Sequence, residues 1–414
     1  MSEKAKKRAI LIVIDACGVG SIADFRDFDE LAESNTLKST CKFAHENMGG
    51  IKLPNLQKLG LANIDNYPGF EALENPIGSW GKMNELNKAK DTITGHWEMM
   101  GIKAVNPFPY YPNGFPQEII DEFLKQTGAT GVLCNKPASG TTVINEFGDE
   151  HKETKKPIIY TSADSVMQIA CDIDVIPLET LYNWCEIARE IMRGEHEVAR
   201  IIARPYKLNP SPNPDSDKAA DMKYIRVNDK RHDYSVLPHG KSALDSVLEN
   251  NGHVLGLGKI QDIFAGVGVP ENIHTKSNAD GLDKLINTIK ENKGDKNEVV
   301  FINLVETDAN FGHRRDPEGF AKALEAIDQR MPEILEAMTA DDILMISADH
   351  GCDPTAAGSD HTREYVPILY YNKNQTGRDL GTRESFADIG ETILDWFEIK
   401  EDKLPIKAKS LIAC

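Results

Sequence analysis

Three short apolar runs of this chain each end in a carboxylate, and this repeated pattern constrains the fold more than any other feature. The runs and the residues that follow them are 8–14 with Asp15, 299–305 with Asp308, and 343–346 with Asp349. Such runs predict buried strands of a parallel sheet. In open α/β sheets the site lies just beyond the carboxyl ends of the strands. The sequence therefore predicts a polar site at one edge of an α/β sheet.

Three histidines accompany these carboxylates. His350 follows Asp349 directly, His361 comes after a short loop that contains glycine and proline, and His313 lies five residues after Asp308. Carboxylates and imidazoles that are shielded from water need partners. Taken singly, each residue could be a helix cap, a salt bridge or a core histidine. As a group, the three carboxylates and three imidazoles predict a site for two divalent ions, as in two-metal phosphoryl-transfer sites.

The ligand candidates fall into two blocks, one at the start of the chain and one after about residue 300. A chain of 414 residues is also too long for one ordinary core. We therefore predict a core domain formed by residues 1–105 and 226–414, with a smaller inserted domain at 106–225. The insert has its own strand signals at 157–160 and 199–203 and a helix signal at 178–192, which predict a small α/β cap.

The C-terminal block alternates strands and helices. Asp316 and Pro317 predict the start of a helix as N-cap and first-turn proline. A strand is predicted over residues 366–371, and Ser385 is predicted to start the last helix. This alternation predicts a mostly parallel sheet with helices on both faces.

Charge and cysteine content limit the class of partner. The chain carries 47 Lys and Arg against 65 Asp and Glu, a net charge of −18. That charge argues against a nucleic-acid or anionic-membrane partner, but not against a small anionic substrate, because bound metal ions reverse the local field. No apolar run approaches membrane-spanning length. Seven cysteines without a Cys-x-x-Cys pair predict a reduced, cytoplasmic protein, which we expect to be a monomer.

The candidate nucleophile lies in the segment 90–98, KDTITGHWE. Its hydroxyls, Thr92 and Thr94, come just ahead of a predicted helix, whose free N–H groups and positive dipole end would favour a phosphoryl group. A metal-bound hydroxyl also loses its proton more easily. The local pattern fits an ordinary N-cap at Thr92 equally well.

Several segments, in order along essentially the whole chain, resemble prokaryotic phosphopentomutases of the alkaline phosphatase superfamily. They are 90–98 (KDTITGHWE), 135–141 (NKPASGT), 160–165 (YTSADS), 200–205 (RIIARP), 231–234 (RHDY), 312–316 (GHRRD), 349–351 (DHG) and 360–365 (DHTREY). The metal motifs point to the superfamily, whereas the segments of the insert point to the mutase. The implied fold is an alkaline-phosphatase-like core with a cap.

The resemblance implies a role for each matching residue. Two Mn²⁺ ions would be held, one by Asp308, His313 and His361, the other by Asp15, Asp349 and His350. Thr92 would carry the phosphoryl group, because related mutases place this residue three positions before the Gly-His pair. Ser162 and Asp164 would bind the sugar hydroxyls. The residues implied for the distal phosphate are Arg200, Ile202, Arg231, His232 and Lys259.

The implied reaction interconverts ribose 1-phosphate and ribose 5-phosphate, and the deoxyribose pair, through phosphothreonine and a bisphosphate. A sugar bisphosphate such as glucose 1,6-bisphosphate would prime it, and the reaction would link nucleoside breakdown to pentose metabolism. The chain departs from the family pattern at Cys352, where Asn is common, and in the turn after Asp15, and these changes leave substrate preference and metal choice open. The alternatives are a phosphatase or a cofactor-independent phosphoglycerate-mutase-like enzyme with the same metals, and a non-catalytic sugar-phosphate-binding protein.

Overall fold

The structure, a computed structural model, describes residues 6–162, 165–213, 222–291, 295–400 and 404–412. The chain divides into two compact units. Unit 1 consists of the described parts of Met1–Val105 and Leu237–Cys414, and unit 2 of those of Asn106–Val236. Within the described ranges, no helix is long and apolar enough to cross a membrane.

The regular elements alternate along the chain. In chain order, the strands are β1 (Arg8–Ile14), β2 (Ser79–Met83), β3 (Leu133–Pro137), β4 (Ile158–Thr161), β5 (Val166–Asp172), β6 (Arg200–Leu208), β7 (Tyr224–Arg226), β8 (His232–Ser235), β9 (His253–Leu257), β10 (Glu271–Ile273), β11 (Glu298–Leu304), β12 (Asp342–Ser347), β13 (Val366–Tyr371) and β14 (Asp379–Arg383). The α-helices are α1 (Thr36–Asn47), α2 (Pro54–Lys58), α3 (Thr92–Met99), α4 (Gln117–Thr127), α5 (Gly140–Thr154), α6 (Leu178–Ile191), α7 (Ala243–Glu249), α8 (Ile260–Ile263), α9 (Asn278–Lys290), α10 (Pro317–Ala337) and α11 (Asp388–Trp396).

Unit 1 is built on an eight-stranded sheet with the strand order β10-β9-β11-β1-β12-β13-β2-β14. The five strands from β10 to β12 are parallel, whereas β13 runs antiparallel to both of its neighbours. Every side chain of β1 and β12 is buried. Because neighbouring side chains of a strand point to opposite faces, both faces of the sheet are covered. The predicted α/β class with a mostly parallel sheet is confirmed.

Unit 2 contains a mixed sheet with the order β3-β4-β5-β6-β7, and β8 also pairs with β6. One face packs against α4 and α6 through an apolar cluster that includes Ile169 and Ile201. The other face packs against α5 through a second cluster that includes Val143 and Tyr206. The unit extends to Val236, not to the predicted 225, because β7 and β8 both pair antiparallel with β6.

Helix starts in the C-terminal block differ in how well the sequence predicts them. The carboxylate of Asp316 accepts the N–H of Gly319 at 2.8 Å, so the predicted N-cap of α10 is confirmed. The last helix begins at Asp388 and not at Ser385. The Ser385 hydroxyl instead accepts the N–H of Ala387 and donates to the carboxylate of Glu98, so that residue organises the turn ahead of the helix.

Candidate active site

The central strands of unit 1 bring distant acidic residues to one edge of the sheet. Strands β11, β1 and β12 are direct neighbours and run parallel, so their carboxyl ends lie side by side. Asp15 follows β1, and Asp349 lies two residues beyond β12, next to His350. All three side chains are buried. The predicted convergence of strand ends is present in the structure.

A π-helical turn, Thr307–Gly312, follows β11 and carries Asp308. Its backbone joins the N–H of His313 to the carbonyl of Asp308, five residues back, at 3.2 Å. Five-residue spacing brings two side chains onto one side of a π-turn, and such turns occur frequently at functional sites. As a result, His313 Nε2 lies 3.3 Å from Asp308 Oδ2.

The first candidate metal cluster comprises Asp308, His313 and His361. His361 Nε2 lies 3.1 Å from His313 Nε2 and 3.5 Å from Asp308 Oδ1. Each imidazole uses its other nitrogen, Nδ1, to donate to a backbone carbonyl: His313 to Ser359 at 2.6 Å and His361 to Lys90 at 2.8 Å. When both rings are neutral, each Nε2 therefore carries a lone pair, and the two lone pairs face each other. A cation bound by both nitrogens stabilises this arrangement.

The second candidate cluster comprises Asp15, Asp349 and His350. His350 Nε2 lies 3.5 Å from Asp15 Oδ1 and 3.6 Å from Asp349 Oδ2. Here too Nδ1 donates to a carbonyl, that of Gly351, at 3.1 Å. A backbone N–H, that of Ala16, fixes the other oxygen of Asp349 at 3.0 Å. These outer hydrogen bonds orient the ligands as expected of a metal site.

Unpartnered oxygens test whether these residues fit metal ions. Among the described residues, Asp15 Oδ1, Asp308 Oδ1 and Asp349 Oδ2 are buried and have no hydrogen-bond partner, and imidazole nitrogens lie 3.3–3.5 Å from them. Native proteins rarely leave buried acceptors unsatisfied, and bound ions are one accepted reason. The oxygen and imidazole donors also suit divalent cations. The six residues therefore fit two such ions.

Electrostatic coupling within the clusters shifts the pKa of most of these groups. Burial, together with the charges of Asp349 and Asp308, raises the pKa of Asp15 well above its usual range. Burial also acts on Asp308, but the imidazoles of His313 and His361 outweigh it and hold that pKa well below its usual range. In turn, burial lowers the pKa of His361, but Asp308 outweighs burial and raises it to about 9. Positive charge is therefore favoured at this centre.

The candidate nucleophiles have different surroundings. Thr92 is the first residue of α3 and is partly exposed, and its Oγ1 lies 3.3 Å from His350 Nε2. Thr94 is fully buried and donates its hydroxyl to Asp91 Oδ2 at 2.7 Å. The helix N-cap is Asp91, not Thr92. Of these two hydroxyls, that of Thr92 is the one directed at the candidate ligands.

The predicted role of free N–H groups at this helix was wrong. Asp91 Oδ1 accepts the N–H groups of Ile93 at 3.0 Å and Thr94 at 3.1 Å. These donors, and part of the positive dipole end, are therefore already engaged by a carboxylate. A phosphoryl group on Thr92 would depend on the six ligand residues and their ions for charge compensation.

Close packing explains the glycine of the same helix. A Cβ atom on Gly95 would lie 2.1 Å from the carbonyl oxygen of Asp349. Only glycine allows α3 to approach the ligand segment this closely. The helix that carries Thr92 and the turn that carries Asp349 and His350 are therefore fixed to each other by backbone contact.

The residues predicted to bind substrate lie in both units. Ser162 is partly buried in the loop between β4 and β5, and Asp164 lies outside the described residues. Arg200 and Ile202 lie on β6, and His232 begins β8. Arg231 donates to both oxygens of Asp233 at 2.7 Å, and Arg200 lies 3.4 Å from the same carboxylate. Lys259 instead belongs to unit 1, after β9, where its charge lowers the pKa of Asp15 against the larger effect of burial.

Two residues that sequence reasoning missed support the clusters from behind. His96 is buried, and its Nδ1 lies 2.8 Å from the Thr92 carbonyl and 3.3 Å from Asp349 Oδ2. Its Nε2 lies 3.2 Å from the amide of Asn303, which also hydrogen-bonds Asp15. The apolar run of β11 contains this polar residue, and that interruption was the available signal.

A buried ion pair links the ligand segment to the nucleophile segment. Arg363 follows His361 by two residues and is 1% exposed. It pairs with the equally buried Glu85 at 2.5 Å and donates to the carbonyl of Ala89, just ahead of Thr92. Sequence reasoning missed it because Glu85 and Arg363 are 278 positions apart.

We expect Arg363→Met to lower the free energy of unfolding by about 3–5 kcal/mol, because it leaves the buried carboxyl of Glu85 without its guanidinium partner. Burial already raises the pKa of Glu85 well above its usual range even though Arg363 acts against it. Adding Glu85→Gln to the same chain should restore much of the loss. Urea unfolding of both variants checks this, and equal destabilisation by the single and double variants would contradict it.

Cys352 lies near the first cluster. Its Sγ belongs to a group with Asp308 and His313 whose candidate ligand atoms all lie within 4.8 Å of one another. Burial raises the pKa of this thiol, so the neutral form is favoured. Arg315 lies 3.5 Å from the sulfur, and Cys17, the other cysteine near the site in sequence, is also buried.

Comparison with known proteins places these features in a family. Residues 7–401 match the model of the metalloenzyme superfamily. The chain is similar to the phosphopentomutase of Alkaliphilus metalliredigens, with 48% identity over 95% of this chain and 96% of the relative. It is equally similar to that of Clostridioides difficile, with 48% identity over 96% and 97%. A Pyrococcus horikoshii protein of solved structure has a related fold, with a TM-score of 0.50 and 13% identity over 96% of this chain and 99% of its own.

Proposed function

This chain belongs to the phosphopentomutase family of the metalloenzyme superfamily, and we propose that it interconverts ribose 1-phosphate and ribose 5-phosphate, and the deoxyribose pair. The observation that carries this proposal is the Thr92 hydroxyl beside His350, a residue that could share a metal ion either with Asp15 and Asp349 or with Asp308 and His361. A non-catalytic protein that only bound sugar phosphates would not need a hydroxyl in this position. We further propose that the protein acts in the cytoplasm.

We propose that Asp308, His313 and His361 hold one divalent ion and that Asp15, Asp349 and His350 hold the other. Mn²⁺ is the ion we expect. When bound, such ions neutralise phosphoryl oxygens and lower the pKa of a coordinated hydroxyl. The imidazoles would bind through Nε2, because each Nδ1 already donates to a carbonyl.

The proposed chemistry passes one phosphoryl group through Thr92. The Thr92 oxygen attacks phosphorus of a sugar bisphosphate, the ester bond to the sugar breaks, and the sugar oxygen takes up the proton that Thr92 lost. In the reverse direction phospho-Thr92 gives its group to the free hydroxyl of a bound monophosphate. A bisphosphate such as glucose 1,6-bisphosphate would prime the first turnover.

Unit 2 is proposed to recognise the sugar phosphate. We assign Ser162 and Asp164 to the sugar hydroxyls. For the distal phosphate we assign Arg200, Ile202, Arg231, His232 and Lys259. Exclusion of water from phospho-Thr92 would keep the enzyme a mutase, since hydrolysis of that ester would make it a phosphatase.

The activity is tested by incubating the protein with ribose 5-phosphate, Mn²⁺ and catalytic glucose 1,6-bisphosphate. Ribose 1-phosphate should form without a matching release of inorganic phosphate. Inorganic phosphate as the only product would mean a hydrolase on the same ligands. If the protein binds Mn²⁺ but converts no phosphate ester, it would be a non-catalytic sugar-phosphate-binding protein.

Binding of Mn²⁺ should release protons. At pH 7.5 the metal-free protein keeps His361 protonated, because its pKa is about 9, and Asp308 raises the pKa of His313 as well. Coordination requires the neutral rings, so roughly one to two protons should leave, and apparent affinity should rise as pH rises towards 9. Calorimetry in buffers of different ionisation enthalpy measures this number, and a value of zero would contradict the proposed histidine ligands.

A further inference from the structure

Unit 2 contains two arginines, Arg204 and Arg226, whose charges both act on Tyr160 and which are not among the residues assigned to substrate. On β6, Arg204 lies on the same side of the strand as Arg200, and Arg226 ends β7. Arg226 donates to the Thr141 hydroxyl in the first turn of α5. Arg204 Nε donates to Gln168 Oε1 at 2.9 Å. We call Arg204, Arg226, Tyr160 and the first turn of α5 the α5 site.

The arginines of the α5 site have no carboxylate partner among the described residues, whereas their neighbours do. The carboxylate of Asp233 pairs with Arg231 and Arg200, and none within salt-bridge distance is found for Arg204 or Arg226 in the described ranges. Burial lowers the pKa of Arg204, and the charges of Arg231 and Arg226 lower it further. In a chain with net charge −18, this is a local excess of positive charge.

Tyr160 supplies an independent sign of a missing ligand. Its side chain is 1% exposed, and its hydroxyl is buried without a hydrogen-bond partner in the described part of the chain. The hydroxyl oxygen lies 2.7 Å from the position that a Cβ atom on Gly140 would occupy, and Arg226 Cζ lies 3.8 Å from that position. The orphan donor therefore points to the start of α5, between the helix and the guanidinium.

The first turn of α5 has no side-chain acceptor for its N–H groups among the described residues. The 15-residue α5 has Ser139 at its N-cap, but this side chain makes no capping hydrogen bond, and the first turn holds no acidic residue. This contrasts with α3, whose first N–H groups are bound by Asp91. Glycine at position 140 allows the Tyr160 hydroxyl to approach this turn closely, because a Cβ atom there would lie 2.7 Å from its oxygen. Helix N-termini of this kind, with arginines beside them, bind phosphate groups.

We propose that the α5 site binds a phosphate monoester through Arg204, Arg226, the Tyr160 hydroxyl and the first N–H groups of α5. The choice of phosphate over other dianions rests on the proposed function. The group is either the distal phosphate of the pentose substrate or a separate phosphate, and the two sources share the same chemistry. None of these residues is among those assigned above to substrate.

The test is calorimetric titration of the full-length chain with inorganic phosphate, after EDTA treatment has removed divalent ions. We expect the native chain to bind one phosphate. Arg204→Gln, Tyr160→Phe and Gly140→Ala should each weaken binding by about tenfold or more. Gly140→Ala removes no charge, and its effect reports displacement of the Tyr160 hydroxyl, because the added Cβ atom would lie 2.7 Å from that oxygen. Arg193→Gln is the matched control, because Arg193 is an exposed arginine of the same unit paired with Glu190.

Folding is monitored in the same samples. Tyr160→Phe should leave Tm unchanged or higher, because it removes a buried hydroxyl that has no partner, while phosphate binding falls. The proposal is overturned if the native chain binds no phosphate, if the three variants bind it as tightly as the native chain, or if Arg193→Gln weakens binding equally.

The Mn²⁺-loaded enzyme separates the two sources. A tenfold rise in the KM for ribose 5-phosphate in Arg204→Gln, with kcat retained, would identify the substrate's own phosphate. If Arg204→Gln loses phosphate binding but keeps the native KM, the bound group is a separate phosphate, and this result would still support the α5 site. Native protein that binds phosphate at the α5 site but does not convert ribose 5-phosphate would contradict the proposed function alone.

Discussion

Thr92→Ala should reduce formation of ribose 1-phosphate from ribose 5-phosphate by a factor on the order of 10⁴ or more, because it removes the oxygen that carries the phosphoryl group. The same change should abolish transfer of label from a ³²P-labelled sugar bisphosphate to the protein. Thr92→Ser keeps a hydroxyl at the same position beside His350 and should retain both signals. Steady-state rates and label incorporation, measured together, check the two expectations.

The neighbouring hydroxyl is the matched control. Thr94 is fully buried and donates to Asp91 Oδ2 at 2.7 Å, so Thr94→Val should lower the free energy of unfolding by about 1–2 kcal/mol. Its kcat should stay close to the native value and its labelling should persist. If Thr92→Ala is still labelled and active, and Thr94→Val is neither labelled nor active, then Thr94 is the nucleophile.

Local sequence patterns predicted those parts of the site that depend on neighbouring residues. Each apolar run forms a central strand, and the polar residue just after it reaches the sheet edge because parallel strands align their ends. The Asp316 cap of α10 depends on three consecutive positions and was equally predictable. The pairing of Asp308 with His313 needed a π-turn, and periodicity rules for ordinary helices do not predict one.

Features that depend on distant segments were missed or misplaced. The end of unit 2 lies at Val236 because β7 and β8 add to β6, whereas the predicted end at 225 cuts off β8 and part of β7. One local feature was also predicted wrongly: the N–H groups of Ile93 and Thr94 were expected to be free, but Asp91, two and three residues earlier, accepts them. His96 contacts Asn303, 207 positions away, and only the assembled sheet brings the two together.

Asp15→Asn should have opposite effects on the metal-free and the metal-loaded protein. Burial and the charges of Asp349 and Asp308 raise the pKa of Asp15 in the folded state. When the pKa of a carboxyl is higher in the folded than in the unfolded protein, the folded state becomes less stable as pH rises from the unfolded pKa to the folded pKa. Without metal, Asp15→Asn should therefore increase Tm at neutral pH and flatten the fall of Tm with pH in that window.

With metal the sign reverses, because the oxygen that destabilises the metal-free fold is the one that would bind the ion. A ligand that binds only the folded state contributes about 2.7 kcal/mol at a concentration of 100 Kd. Asp15→Asn should lose that contribution for one ion, and kcat should fall by a factor on the order of 10³ through loss of electrostatic stabilisation at the reacting phosphoryl group. Calorimetric melting with and without Mn²⁺ checks this reversal of the effect on Tm. Asp262→Asn, at an exposed position of α8 outside both clusters, is the control. An Mn²⁺-dependent rise in Tm equal to that of the native protein would exclude Asp15 as a ligand.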